Sequence, residues 1–190
     1  MRLEAHHAIA LCIDVQERLF PQIHERQALL QRTSVLVRGL QLLNIPVLVT
    51  EQYRKGLGGT VEPLASLLEP FEPLEKMSFS ACGNPDVEAR VLGSGKHQVV
   101  VFGVEAHVCV LQTVLDLLGQ GEKVIVVADC VSSRFASDRV LAIERMRSAG
   151  AIITTAESVL FEFMRTAAAP QFKAMSAIVK EQRIVDGGNA

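Results

Sequence analysis

Three residues with the chemistry of nucleophilic catalysis lie far apart in this chain: Asp14, Lys76 and Cys109. A thiol attacks as its thiolate. A carboxylate within reach can take the thiol proton when substrate arrives, and an ammonium stabilises either anion. Each residue also has an ordinary explanation. Asp14 can be a helix cap or a turn residue, Lys76 a solvated lysine, and Cys109 a small apolar filler on a core-facing helix. The choice depends on whether the elements carrying them bring them to one place.

Those elements are written in the hydrophobic pattern. Six stretches read as strands: AIALCID (8–14), IPVLVTE (45–51), PLEKMSF with its strand ending near Lys76, HQVVVFGV (97–104), EKVIVVADC (122–130) and the start of AIITTAESVL (151–160). Helical spacing separates them. RQALLQRTSVLVRGLQLLN places Leu29, Leu36, Leu40 and Leu43 on one face, with Asn44 as its stop. NPDVEARVLGSG begins with Asn84 as N-cap and Pro85 at the first helical position. HVCVLQTVLDLLGQG ends at Gly119 or Gly121, and SDRVLAIERMRSAG takes Ser137 or Asp138 as its cap. A short helix follows the sixth strand, and Phe172, Met175, Ile178 and Val179 outline a last amphipathic one.

Continuously apolar strands alternating with helices predict an α/β fold. The expectation is one doubly wound domain over residues 1–190, a six-stranded, mostly parallel sheet with helices on both faces. Right-handed crossovers put every strand-to-helix loop at one edge, and ligands of such sheets bind beyond the strands' carboxyl ends. The loops after Asp14, Thr50, Lys76, Val104 and Asp129 therefore come together. Cys109, at a helix start and near an ammonium, is expected to have a lowered pKa.

Composition narrows the partners. The 190 residues are 49% hydrophobic and 21% charged, with a net charge of −2, as expected of a globular chain. No basic face stands out, which argues against nucleic acid, and no apolar run approaches the roughly 20 residues that span a bilayer. The start MRLEAHHAIALCIDV is a poor signal peptide, its apolar run cut short by Asp14, so a cytoplasmic location is expected. Cys12, Cys82, Cys109 and Cys130 form no metal-type pair and are expected to be free thiols.

From about Ala8 to about Phe172 the chain resembles the isochorismatase-like hydrolase superfamily, the cysteine hydrolases that include nicotinamidases and N-carbamoylsarcosine amidase. The pieces that carry the resemblance are ALCIDVQ with Asp14, LEKMSFSA with Lys76 and VFGVEAHVCVLQTVLDLLGQG with Cys109, followed by VVADCVSSR. The resemblance implies a Rossmann-like fold and a catalytic triad of Asp14, Lys76 and Cys109. It also implies a cis peptide between Val104 and Glu105. That bond would turn the Glu105 amide toward the same point as that of Cys109, and the two donors would form an oxyanion hole.

Nicotinamidases in that superfamily carry an Asp-x-His pattern after strand two, with further His for a metal. Here the segment reads TEQYRKGLGGT, without His. Glu51 alone is a thin basis for a metal site, so neither a metal nor a cofactor is expected, nor nicotinamide as the main substrate. True isochorismatases act on an enol ether without a cysteine nucleophile, so Cys109 points away from that activity. The TEQY-x-KGLG-type loop is similar to that of the superfamily's isochorismatase domain-containing branch.

The substrate is expected to be a small molecule with an amide or related C–N bond. Gln52 and Tyr53 open a loop that either borders the pocket or is a flexible surface or subunit contact. Phe20, Phe79 and His107 could line the pocket as well, although His107, two residues from Cys109, does not share its helix face. His6, His7, His24 and His97 read as surface residues, Cys12 and Cys130 as core fillers. The resemblance favours a homo-oligomer, a dimer or tetramer. The rival reading is a non-catalytic member of the fold whose last helix serves assembly.

Overall fold

The computed structural model describes residues 2–181. Its sheet is built from β1 (Ala8–Ile13), β2 (Val47–Gln52), β3 (Leu74–Lys76), β4 (Gln98–Val104), β5 (Lys123–Ser132) and β6 (Ile152–Thr154). All pairings are parallel and the order is β3-β2-β1-β4-β5-β6. Every residue of β1 and β4 is buried, so both central strands read as unbroken apolar runs.

Among the described residues eight α-helices connect or cover the strands: α1 (Arg26–Leu42), α2 (Arg54–Leu57), α3 (Glu62–Ala65), α4 (Pro85–Leu92), α5 (Leu111–Gly119), α6 (Ala136–Ser148), α7 (Ala156–Met164) and α8 (Phe172–Lys180). Leu29, Leu36 and Leu40 are buried along α1, and Asn44 beyond its end takes φ of 55°, the left-handed stop that Asn tolerates. Asn84 caps α4, its Oδ1 accepting from the amides of Asp86 and Val87. Helix α8 buries Met175 and Val179 against its own domain.

Three local expectations need correction. The helix of 137–150 starts earlier: its N-cap is Phe135, and neither Ser137 nor Asp138 caps it. The fifth strand runs on to Ser132, so the loop at the carboxyl edge begins there rather than after Asp129. The segment after β2 is not plain loop, since it winds into α2 and α3.

Strand order matters most for the site. β1 lies directly beside β4, which brings Asp14 next to the turn that carries Cys109. β3 is one strand further out, with β2 in between, so Lys76 has to reach across β2 to meet Asp14. Gly103, at φ of 120°, allows the closest approach of the central pair: a Cβ there would lie 2.1 Å from the Ile13 carbonyl oxygen.

Candidate active site

Asp14 stands just past β1 at φ of 52°, a left-handed position open to Asp, and is fully buried. A bare carboxylate there would be prohibitively costly to desolvate. Its Oδ2 accepts from Lys76 Nζ at 2.6 Å and its Oδ1 from the Thr50 hydroxyl at 2.7 Å. Lys76 is equally buried, and its ammonium also donates to Gln52 Oε1 at 2.7 Å and to the carbonyls of Phe79 and Ser78 at 3.0 and 3.2 Å. A buried ion pair is tolerable only when its remaining donors and acceptors are satisfied, and here they are.

Cys109 completes the group. The Val104–Glu105 peptide at the end of β4 is cis. A π-helical turn, Ala106–Val110, then leads into α5, with the Val110 amide donating to the Glu105 carbonyl five residues back at 3.2 Å. Cys109 lines the same cavity as Asp14, and the charges of Asp14 and Lys76 both act on its thiol. Burial pushes that thiol up to about 12; the Asp14 charge adds to the rise and the Lys76 charge opposes it. The expected lowering is therefore reversed. Desolvation and a carboxylate outweigh one ammonium, so Cys109 rests as the thiol beside a base.

The thiol faces a cavity of about 140 Å³ lined by Asp14, Leu19, Gln52, Leu57, Phe79, Glu105, Val108 and Cys109. Gln52 and Phe79 thus border it. Phe20, Tyr53 and His107 are not among its lining residues. Phe20 is buried in the core at a short helical turn. Tyr53 sits at φ of 38° with its ring folded toward Gly56. The His107 ring turns instead toward Ser133 Oγ at 2.9 Å and Asp138 at 3.7 Å, tying the Cys109 turn to the end of β5 and to α6. The Glu105 carboxylate fastens the same turn by accepting from the Arg134 amide at 2.9 Å and its guanidinium at 3.2 Å.

Sequence reading missed the residues that hold the site in shape. Buried Gln16 donates to the carbonyls of Gly58 and Gln52 at 2.7 and 3.0 Å and accepts from the Gln52 amide at 2.7 Å. The 52–59 loop is therefore pinned, not free. Glu51 Oε1 accepts from the Thr60 amide and hydroxyl at 2.7 and 2.9 Å, and its other oxygen lies 3.4 Å from Arg54, so this carboxylate is engaged in closing the same loop. The Thr113 hydroxyl donates to the Cys109 carbonyl at 2.7 Å and accepts from the Ala81 amide at 2.9 Å, which couples the thiol's turn to the loop beyond Lys76. The only available signal was a polar residue at an otherwise apolar position, as with Gln16 directly after Val15.

In chemical terms this is a buried thiol and a carboxylate able to accept its proton on one small cavity, with a fixed positive charge paired to that carboxylate. Comparison with known proteins shows relatives of this chain and of its fold. The secreted isochorismatase effector Isc1 of Phytophthora sojae is 38% identical, over 98% of this chain and 91% of that protein. The chain spans only 61% of isochorismatase domain-containing protein 1 of Danio rerio, to which it is 42% identical over 91% of its own length. Among solved structures, the MAR1 ribonuclease of Caenorhabditis elegans superposes with a TM-score of 0.89 at 36% identity, over 95% of this chain and 93% of that one. YcaC of Escherichia coli, described as an octameric hydrolase of unknown specificity, gives 0.90 at 26% identity, over 98% and 92%. The isochorismatase domain itself matches residues 8–158. With its parallel six-stranded sheet and the Asp14, Lys76 and Cys109 cluster at the carboxyl edge, the chain belongs to the isochorismatase domain family.

Proposed function

We propose that this protein is a cysteine hydrolase that cleaves a small amide or related C–N bond. Asp14 accepts the Cys109 proton as substrate enters, and the sulfur attacks the carbonyl carbon. The amides of Glu105 and Cys109 hold the oxyanion. Asp14 returns the proton to the leaving nitrogen, the C–N bond breaks, and a thioester remains on Cys109. Water, deprotonated by Asp14, then releases the acid and restores the thiol. Lys76 remains an ammonium throughout and stabilises the ionised Asp14 and the transient thiolate. No step needs a metal or cofactor.

The observation that carries this reading is that Cys109 and Asp14 line one small cavity, with Asp14 fully partnered by Lys76 and Thr50. At about 140 Å³ that cavity is below the roughly 300 Å³ at which drug-sized ligand pockets begin, which favours a small substrate. The test is mass spectrometry of the protein mixed with a panel of small amides. The expected result is an acyl adduct on Cys109 and product release, both abolished in Cys109→Ala. Turnover surviving that substitution would sink the mechanism.

The name of the C. elegans neighbour supplies a second reading, ribonuclease activity. The small cavity and the net charge of −2 weigh against it, because RNA binding depends on Lys and Arg contacts to phosphates. Incubation with an RNA oligonucleotide distinguishes the two. We further propose a homo-oligomer, a reading the octameric neighbour supports. A cytoplasmic location is proposed as well: all four cysteines are free, as in a reducing compartment. Among the described residues no helix is long and apolar enough to cross a membrane.

A further inference from the structure

The opposite end of β1 carries a different set of donors. Glu4, His6 and His7 lie just before the strand, and one ligand atom from each falls within 4.8 Å of the others. Glu4 Oε2 is 3.4 Å from His6 Nε2 and 3.7 Å from His7 Nε2. These separations exceed the roughly 2.7–3.2 Å of an N–H···O hydrogen bond. They fit a different geometry. Ligands held at about 2.0–2.1 Å from a tetrahedral zinc ion stand about 3.4 Å apart. The Glu4–His6 and Glu4–His7 separations leave room for an ion between carboxylate and imidazoles, whose rings stand 4.0 Å apart.

The surroundings hold the Glu4 carboxylate and the backbone of the turn. The other Glu4 oxygen is 3.3 Å from Arg165 Nη2, and the Glu4 amide donates to Gln98 Oε1 at 2.8 Å. The His7 amide donates to the Glu4 carbonyl at 3.0 Å, and Lys96 Nζ donates to the His6 carbonyl at 2.9 Å. The Arg165 contact orients the Glu4 carboxylate, as an outer partner does in a metal site, and the other three bonds fix the backbone of the turn. All three ligand side chains reach solvent, at 40%, 71% and 49% exposure, so an ion can enter and a fourth position stays open to water.

We propose that Glu4, His6 and His7 form a binding site for a borderline-soft divalent cation of the zinc class. Two imidazoles and one carboxylate suit zinc, copper or nickel, whereas calcium and magnesium demand near-complete oxygen shells. The site clamps the short turn Ala5–His7 at the entry to β1. His7 and Asp14 are seven residues apart along an extended strand, about 23 Å, so the ion takes no part in the chemistry at Cys109.

The experiment is calorimetric titration of the full chain with zinc sulfate at pH 7.5, with cobalt chloride as a spectroscopic probe. One equivalent binds per chain, in wild type and Cys109→Ala alike. The double variant His6→Ala/His7→Ala binds at least tenfold more weakly, and Glu4→Gln also weakens binding. Zinc raises the melting temperature of wild type and not of the double variant. Bound cobalt shows ligand-field bands without sulfur charge transfer. Undiminished binding by the double variant, a thiolate-to-cobalt band, or no binding at millimolar zinc would each overturn the proposal. None of these readouts depends on hydrolysis, so the outcome is independent of the proposed activity.

Discussion

At the scale of single residues, the informative quantity is the protonation of Cys109. Burial and Asp14 hold its thiol at about 12, so the free protein carries little thiolate at neutral pH. A base in contact then supplies what a lowered pKa supplies in other cysteine enzymes. This arrangement makes an unusual prediction for Asp14→Asn. Removing the carboxylate removes one cause of the raised thiol and leaves the ammonium that opposes it. Alkylation of Cys109 by iodoacetamide at pH 8, which needs thiolate but no proton shuttle, should become faster, while amide turnover disappears. A slower or unchanged alkylation rate would mean that Asp14 does not act on the thiol.

At the scale of elements, the site depends on how closely β1 and β4 approach. Gly103 is the residue that permits it, since a side chain would meet the Ile13 carbonyl at 2.1 Å and φ is 120°. Gly103→Ala is expected to lose about 2–4 kcal/mol in urea unfolding, as other substitutions at incompatible backbone positions do, together with most of the turnover. A stability change under 0.5 kcal/mol, roughly that of an ordinary surface substitution, would contradict the close approach. The turn after β4 is held from outside by Glu105 on Arg134 and by His107 between Ser133 and Asp138. His107 thus links that turn to the end of β5 and to α6.

At the scale of the whole molecule, two consequences follow. Cys12, Cys109 and Cys130 are buried and their thiols are raised, and half-buried Cys82 is raised to about 11, in every case chiefly by burial. Their unfolded-state pKa is about 8.5. The folded chain therefore retains protons that the unfolded chain releases. The associated stability is complete below about pH 8.5 and declines as pH rises through the folded values. The melting temperature should change little from the thiols between pH 7 and 8 and fall steadily from pH 9 to 11, with a shallower fall in Cys82→Ala. The second concerns the proposed assembly. Phe135 and Leu141 are each 64% exposed and Val140 is 49% exposed, an apolar group at the start of α6. Light scattering should give a multiple of the chain mass, and Leu141→Glu should lower it; a monomeric wild type would refute the proposed oligomer.

Much of this was legible along the chain. The apolar runs at 8–13, 47–50 and 98–104 fall within strands of the folded sheet, and Asn84–Pro85 opens α4. These features are local: an unbroken apolar run suits a strand covered on both faces, and a cap bonds amides two or three residues away. Alternation of strand and helix, with right-handed crossovers, was enough to put Asp14, Lys76 and Cys109 at one edge of a parallel sheet. Tertiary structure alone decided the rest. The strand order makes Lys76 span β2; Thr50 and Gln52 meet Asp14 and Gln16 across 36 residues, and Lys76 meets Asp14 across 62. Phe20, Tyr53 and His107 do not line the cavity: Phe20 is buried in the core, Tyr53 takes a left-handed backbone conformation and His107 meets Ser133, 26 residues away. The Cys109 thiol was raised rather than lowered for the same reason: desolvation is a property of everything packed around a group, and no local pattern of residues encodes it.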